Sequence, residues 1–159
     1  MILVLLGTQN NNFDRLLKEI DNCINNKIIN DKVIVQTGYT QYSSNKMEIL
    51  DFIPVEQFNN LLKEADLIIT HGGVGSIITA IKLNKKVIAV PRLQKYKEHI
   101  NNHQIQIVEA LDEFGYLKGV FDINNLGNTI KIISEFTPKQ YISNTENIIK
   151  IITNYIDNN

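Results

Sequence analysis

Tryptophan is absent from this chain of 159 residues, and cysteine occurs once, at Cys23. A single cysteine excludes an internal disulfide and any metal site built from several thiolates. Cys23 falls on the apolar side of a helical pattern, where a small buried hydrophobe is the ordinary role and a nucleophile the rare one. A chain of this kind fits a cytoplasmic location. Charge of one sign is also missing: 16 basic and 17 acidic residues leave a formal net charge of −1. That balance gives no sign of a general nucleic-acid binder. No apolar run is long enough to cross a bilayer, including the opening residues 1–7. The opening also lacks the basic region and cleavage site of a signal peptide. Membrane contact is therefore expected to be peripheral or made through a partner. Neither an internal repeat nor a long linker is visible, and the length suits one domain over 1–159.

Apolar residues make up 43% of the chain and charged residues 21%, as in globular proteins. Asn, Ile and Lys are abundant, a bias of the kind an AT-rich genome produces. Four short runs, over residues 2–6, 33–35, 67–69 and 87–90, are apolar throughout instead of alternating. Such runs predict strands of a parallel sheet covered on both faces. Helical spacing falls between them. Phe13, Leu16, Leu17, Ile20 and Ile24 share one helix face, and Phe58, Leu61, Leu62 and Ala65 repeat the pattern after Pro54. Ile105, Val108 and Leu111 follow, then Ile123, Leu126, Ile130 and Ile133. The polar stretch over 38–45 reads as a loop. Residues 143–157 read as a terminal helix whose stripe of Ile148, Ile151, Ile152, Tyr155 and Ile156 packs on the sheet or docks on a partner. Alternating strands and helices predict a Rossmann-like, doubly wound α/β domain.

The sharpest local feature is Thr70-His71-Gly72-Gly73-Val74-Gly75-Ser76, set between a strand and a helical segment with Ile77, Ile78, Ala80 and Ile81. A glycine turn there lets the backbone approach a phosphate, and free amides at the helix start stabilise its charge. Ser76 adds a hydroxyl donor. The pattern is neither the dinucleotide fingerprint nor a P-loop, and a plain tight turn is the competing reading. Gly7 and Thr8 end the first strand, on the sheet edge where ligands bind in such folds. After the strand at 87–90 comes a polar stretch, Pro91-Arg92-Leu93-Gln94-Lys95-Tyr96-Lys97-Glu98-His99. It leads into Ile100-Asn101-Asn102-His103-Gln104, which opens the next helix. These side chains suit sugar hydroxyls. His99 and His103 have the four-residue spacing of a helical metal pair, but the surroundings are not HExxH, so no metal is expected.

The run over 71–104 resembles the C-terminal domain of glycosyltransferase family 28, the MurG-like enzymes. The resemblance rests on Gly72, Gly73, Gly75 and Ser76, then Pro91, then Glu98, His103 and Gln104. It is nearer to the short free-standing members: the catalytic subunit of the dolichol-linked N-acetylglucosaminyltransferase, and the PssE-like proteins of exopolysaccharide and capsule synthesis. Gly7-Thr8-Gln9, Phe13-Asp14-Arg15-Leu16, Gln36-Thr37-Gly38-Tyr39 and Pro91-Arg92-Leu93 carry that part of the likeness, which spans about residues 1–120. One position departs. Many relatives have a glutamate for the ribose hydroxyls three residues beyond the glycine turn's Ser or Thr. This chain has Thr79.

The resemblance implies the C-terminal half of a GT-B enzyme, which binds the UDP-sugar donor and needs no cofactor. It implies a membrane-associated Alg14-like or PssD-like partner for the other half, and a sugar on a polyprenyl diphosphate as acceptor. The implied reaction is transfer of a hexose with inversion. His71 is then the expected catalytic contact to the leaving diphosphate, beside the amides of residues 72–76. Gly7, Thr8, Arg92, Glu98, Asn102, His103 and Gln104 are the expected donor contacts. The general base is left unassigned. Two other readings stand beside this one: a non-catalytic activating subunit, which the Thr79 departure favours, and a nucleotide-sugar epimerase, which such a short chain disfavours.

Overall fold

In the computed structural model, residues 1–141 and 153–154 are described. The continuous apolar runs become the middle of one sheet. These are β1 (Ile2–Leu5), β2 (Val33–Gln36), β4 (Leu67–His71) and β5 (Lys86–Val90). Nearly every residue in them is buried, because both faces are covered. Two strands had no apolar run to announce them. β3 (Glu48–Leu50) and β6 (Lys118–Gly119) lie at the two edges, half-exposed, where one face or side meets solvent and apolar continuity is not needed. β4 also runs two residues further than its apolar run, taking in Thr70 and His71. The glycine turn proper therefore begins at Gly72.

Along β1 the side chains alternate between two cores. Ile2 and Val4 join Phe13, Leu16, Leu17 and Ile20 of the segment leading through α1 (Asp14–Asn25), with Leu126 and Ile130 of α5 (Leu126–Ile132). Leu3 and Leu5 face the opposite way. They meet Leu61 and Leu62 of α2 (Val55–Glu64), Ile77 and Ile81 of α3 (Val74–Lys82), and Val108 and Leu111 of α4 (His103–Glu113). Each fully buried leucine or isoleucine in these layers contributes about 2 kcal/mol. Ile123 falls outside α5, in a separate 3₁₀ turn whose Asp122 carboxylate accepts from the Asn124 amide at 3.0 Å. Residues 100–102, expected to open α4, precede it as bends. The terminal helix expected over 143–157 lies outside the described residues except at Thr153 and Asn154, which are helical and exposed. Among the described residues, no helix is long and apolar enough to cross a membrane.

All neighbouring strands run parallel, in the order β3-β2-β1-β4-β5-β6. From β1 the chain winds outward to one edge, then returns to β4 on β1's other side. The connections leaving β1 and β4 therefore diverge, and a crevice opens between the carboxyl ends of these two strands. This is the doubly wound sheet expected from the alternating pattern.

Candidate functional site

The crevice is occupied by a cavity of about 330 Å³. One wall is polar: Gly7 and Thr8 after β1, Gln36 at the end of β2, His71 at the end of β4, then Gly73, Gly75 and Ser76 at the start of α3. The other wall is apolar, formed by Phe52, Ile53 and Phe58 from the β3–α2 connection and α2. Sequence reasoning found most of the polar wall and missed the apolar one. In sequence Phe58 reads as part of a packing stripe. Nothing local marks Phe52, which is exposed and stands edge-on to Tyr39 at 5.2 Å.

His71 is central to the polar wall and only 9% exposed. Its Nδ1 lies 3.3 Å from the Leu5 carbonyl oxygen, which can only accept. With Thr70 Oγ1 also 3.4 Å from Nδ1, that contact favours the tautomer with the proton on Nδ1 and the lone pair on Nε2. Thr70 Oγ1 donates to the same carbonyl at 3.2 Å. Burial pushes the His71 pKa down to about 4. The Leu5 bond opposes the shift, while the nearby Arg92 and His99 charges add to it. The ring is neutral at neutral pH.

Glycines hold this ring. Gly7 has φ +76°, and a Cβ there would stand 2.6 Å from the ring's Cε1. A Cβ on Gly73 would stand 2.1 Å from Nε2. No side chain fits at either position without displacing His71. Gly75 differs: a Cβ there meets nothing within 4 Å. A glycine inside a helix costs about 1 kcal/mol against alanine, and no protein atom requires this one. The open space faces the cavity. No side chain caps the start of α3, so the amides of its first turn are left for another partner.

Gly72 lies outside this group. Its amide donates to Gln104 Oε1 at 3.0 Å, and a Cβ would meet Gln104 Cβ at 2.7 Å. Gln104 Oε1 also accepts from the Arg92 amide at 3.0 Å. Gln104 is therefore a buried clamp joining the glycine turn to the segment after β5. His103, next to it, is exposed, because successive helix residues point different ways. Its Nδ1 meets Gln106 Oε1 at 3.2 Å, and with Asn102, Ile105 and Gln106 it lines a separate hollow. Asn102 Oδ1 accepts from the Gln94 amide at 3.0 Å.

The expectation for Arg92 and Glu98 needs correction. Neither side chain is free to meet a donor. Arg92 is fully buried over the Phe13 ring, 4.8 Å from its centroid. It donates to the carbonyls of Leu6 at 2.8 Å, Asn11 at 2.7 Å and Glu98 at 3.2 Å. Glu98 accepts from Arg15 Nε at 2.8 Å and Nη2 at 2.9 Å, and from the Leu93 amide at 2.9 Å. These groups tie the loop after β5 to the loop after β1. Burial lowers the Arg92 pKa to about 10, so it stays charged. Thr79 bonds back to its own helix, donating to the Gly75 carbonyl at 2.8 Å. Cys23 is buried, and burial with the neighbouring Glu19 raises its pKa to about 11. Both effects work against the thiolate that a nucleophile needs.

Fold and cavity together define a doubly wound α/β domain with an anion-ready helix start at its topological switch point. The chain belongs to the glycosyltransferase family 28 C-terminal domain family, which it matches over residues 1–158. It is 32% identical over 79 residues to the "UDP-N-acetylglucosamine transferase subunit ALG13" of Candida albicans, covering 50% of this chain and 26% of that protein. The Saccharomyces cerevisiae protein of the same name is 30% identical over 73 residues, covering 45% of this chain and 34% of that protein. The matches thus span about a quarter to a third of these relatives' length. In fold, the chain is similar to a solution structure of ALG13 (TM-score 0.64, 19% identity, 95% of this chain and 94% of that one). It is also similar to part of MurG from Acinetobacter baumannii (TM-score 0.55, 13% identity, 97% of this chain and 43% of that one). The fold is that of one half of a GT-B glycosyltransferase.

Proposed function

We propose that this chain is the donor-binding subunit of a two-component, inverting glycosyltransferase that moves a hexose from a UDP-sugar. The observation that carries the reading is the uncapped start of α3 at the switch point, with open space at Gly75. The diphosphate sits there, against the amides of the first turn of α3, with Ser76 Oγ as a further donor. These dipoles stabilise the charge that grows on the leaving UDP as the glycosidic bond breaks, and they need no reorganisation to do so. The apolar wall of Phe52, Ile53 and Phe58 suits the flat face of the base. His71 is the side chain nearest the diphosphate.

The acceptor-binding half comes from a separate membrane-associated subunit, Alg14-like or PssD-like. The acceptor is a sugar on a polyprenyl diphosphate, and the product feeds glycan, exopolysaccharide or capsule synthesis. The names of the relatives make UDP-N-acetylglucosamine the first donor to try. In calorimetric titration of UDP and a panel of UDP-sugars, with and without the partner, one UDP-sugar is expected to bind, and the complex to transfer its hexose. A folded complex that transfers sugar while this chain binds no nucleotide would favour a second reading, a non-catalytic activating subunit. Thr79 supports that alternative, since its hydroxyl already donates to Gly75 and it offers no carboxylate to a ribose.

A further inference from the structure

If the donor diphosphate binds at α3, His71 faces a conflict. Its Nδ1–H is held by the Leu5 carbonyl, and its Nε2 lone pair, which has no partner among the described residues, is directed toward the cavity beside Gly73. A lone pair and a phosphate oxygen are both acceptors, and they cannot share a hydrogen bond without a proton between them. Rotating the ring would not help. The ring edge is wedged between Gly7 and Gly73, and moving the proton to Nε2 on a neutral ring would leave a bare Nδ1 facing the Leu5 carbonyl oxygen at 3.3 Å.

We infer that His71 takes up one proton from solvent as the diphosphate seats, and that the resulting imidazolium donates from Nε2 to a phosphate oxygen. This rests on the donor-site reading above. The step forms an N–H bond with the Nε2 lone pair and a solvent proton, and no redox change is involved. The surroundings favour it only when an anion is present. Arg92 and His99, both from the segment after β5, act against a positive charge on His71. β1, β2 and α3 present Leu5, Gln36, Gly73 and Ser76, none of them charged. Asp51, after β3, is hydrogen-bonded to Thr37 Oγ1 at 3.2 Å instead. The site therefore lacks a resident carboxylate, and a bound diphosphate supplies the missing negative charge.

The sign follows directly. The free ring is neutral above its lowered pKa of about 4 and the bound ring is charged, so binding tightens as pH falls. Between the free-ring pKa of about 4 and the higher bound-state pKa, affinity should gain about tenfold for each pH unit lowered. The test is calorimetry of UDP-N-acetylglucosamine into the full chain at neutral pH, in two buffers of unlike ionisation enthalpy. This donor has no group titrating near neutrality, so proton exchange reports on the protein. Uptake of about one proton per donor is expected. Histidine ring shifts by NMR, free and bound, identify His71 and not His99 or His103 as the ring that charges, using the wild-type chain. His71→Gln, if folded, should bind with no uptake and a flat pH profile. Binding without uptake, or uptake by another histidine, overturns the inference and leaves the donor site standing. If no UDP-sugar binds in any buffer, the donor-site reading fails and takes this inference with it.

Discussion

Two polar regions share the carboxyl edge of the sheet, and they behave in opposite ways. The polar wall of the crevice between β1 and β4 is rich in small residues, Gly7, Thr8, Gly73, Gly75 and Ser76, and the first-turn amides of α3 have no side-chain cap. The knot after β5 is built from Arg15, Arg92 and Glu98, and nearly all its polar atoms are satisfied internally, Arg92 Nε excepted. The region that looks chemically richer has been used to hold the chain together. The poorer one is free to act. Breaking the knot should therefore affect stability first. Arg92→Ala takes the Arg92 donors away from the carbonyls of Leu6, Asn11 and Glu98, removes a buried charge from a paired cluster and leaves a void against Phe13. Urea unfolding is expected to show a loss of about 3–5 kcal/mol. A variant of normal stability that no longer binds UDP-sugars would reverse the comparison and return Arg92 to the donor site.

The crevice should respond the other way. Gly75→Ala adds a methyl where no protein atom stands, and it improves helix propensity. It is expected to raise stability by about 1 kcal/mol and to weaken UDP-sugar binding about tenfold, a cost near 1.4 kcal/mol. Thermal melts and calorimetry on one preparation read both quantities. Unchanged affinity would mean that the diphosphate does not approach α3 at this point. Gly73 is the wrong place to ask the question. Even alanine there runs into His71 Nε2, so lost binding in Gly73→Asp would not separate a blocked site from a displaced ring.

The same contrast explains what could be read in advance. Burial on both faces writes itself locally, as the unbroken apolar runs of β1 and β4, so the central sheet and the glycine turn between β4 and α3 were visible. The edge strands β3 and β6 carry no such constraint and were not. The fate of a long polar side chain is a long-range matter. Arg92 reaches Leu6 across 86 residues, and Arg15 meets Glu98 across 83. No spacing rule encodes those contacts, and a loop full of donors and acceptors reads as a binding loop until its partners are seen. Gln104 makes the point within one helix turn. It stands beside His103 in sequence, yet one is a buried clamp and the other an exposed ring.

His103 allows the finest test of where the site ends. It heads α4, bonds to Gln106 three residues on, and lines a hollow separate from the glycine crevice. An exposed side chain of this kind contributes little to folding, so His103→Ala should change stability by less than about 0.5 kcal/mol. UDP-sugar affinity of the isolated chain should stay within about twofold, because the ring does not reach the crevice. Transfer by the assembled complex is the informative readout. If it too is unchanged, the functional edge stops at the start of α3. If transfer falls while binding holds, His103 belongs to a surface that only the acceptor-binding subunit completes, and the site extends along the edge to α4. If binding to the isolated chain itself collapses, the donor reaches past the Gln104 clamp, and the division between a free crevice and a closed knot is drawn in the wrong place.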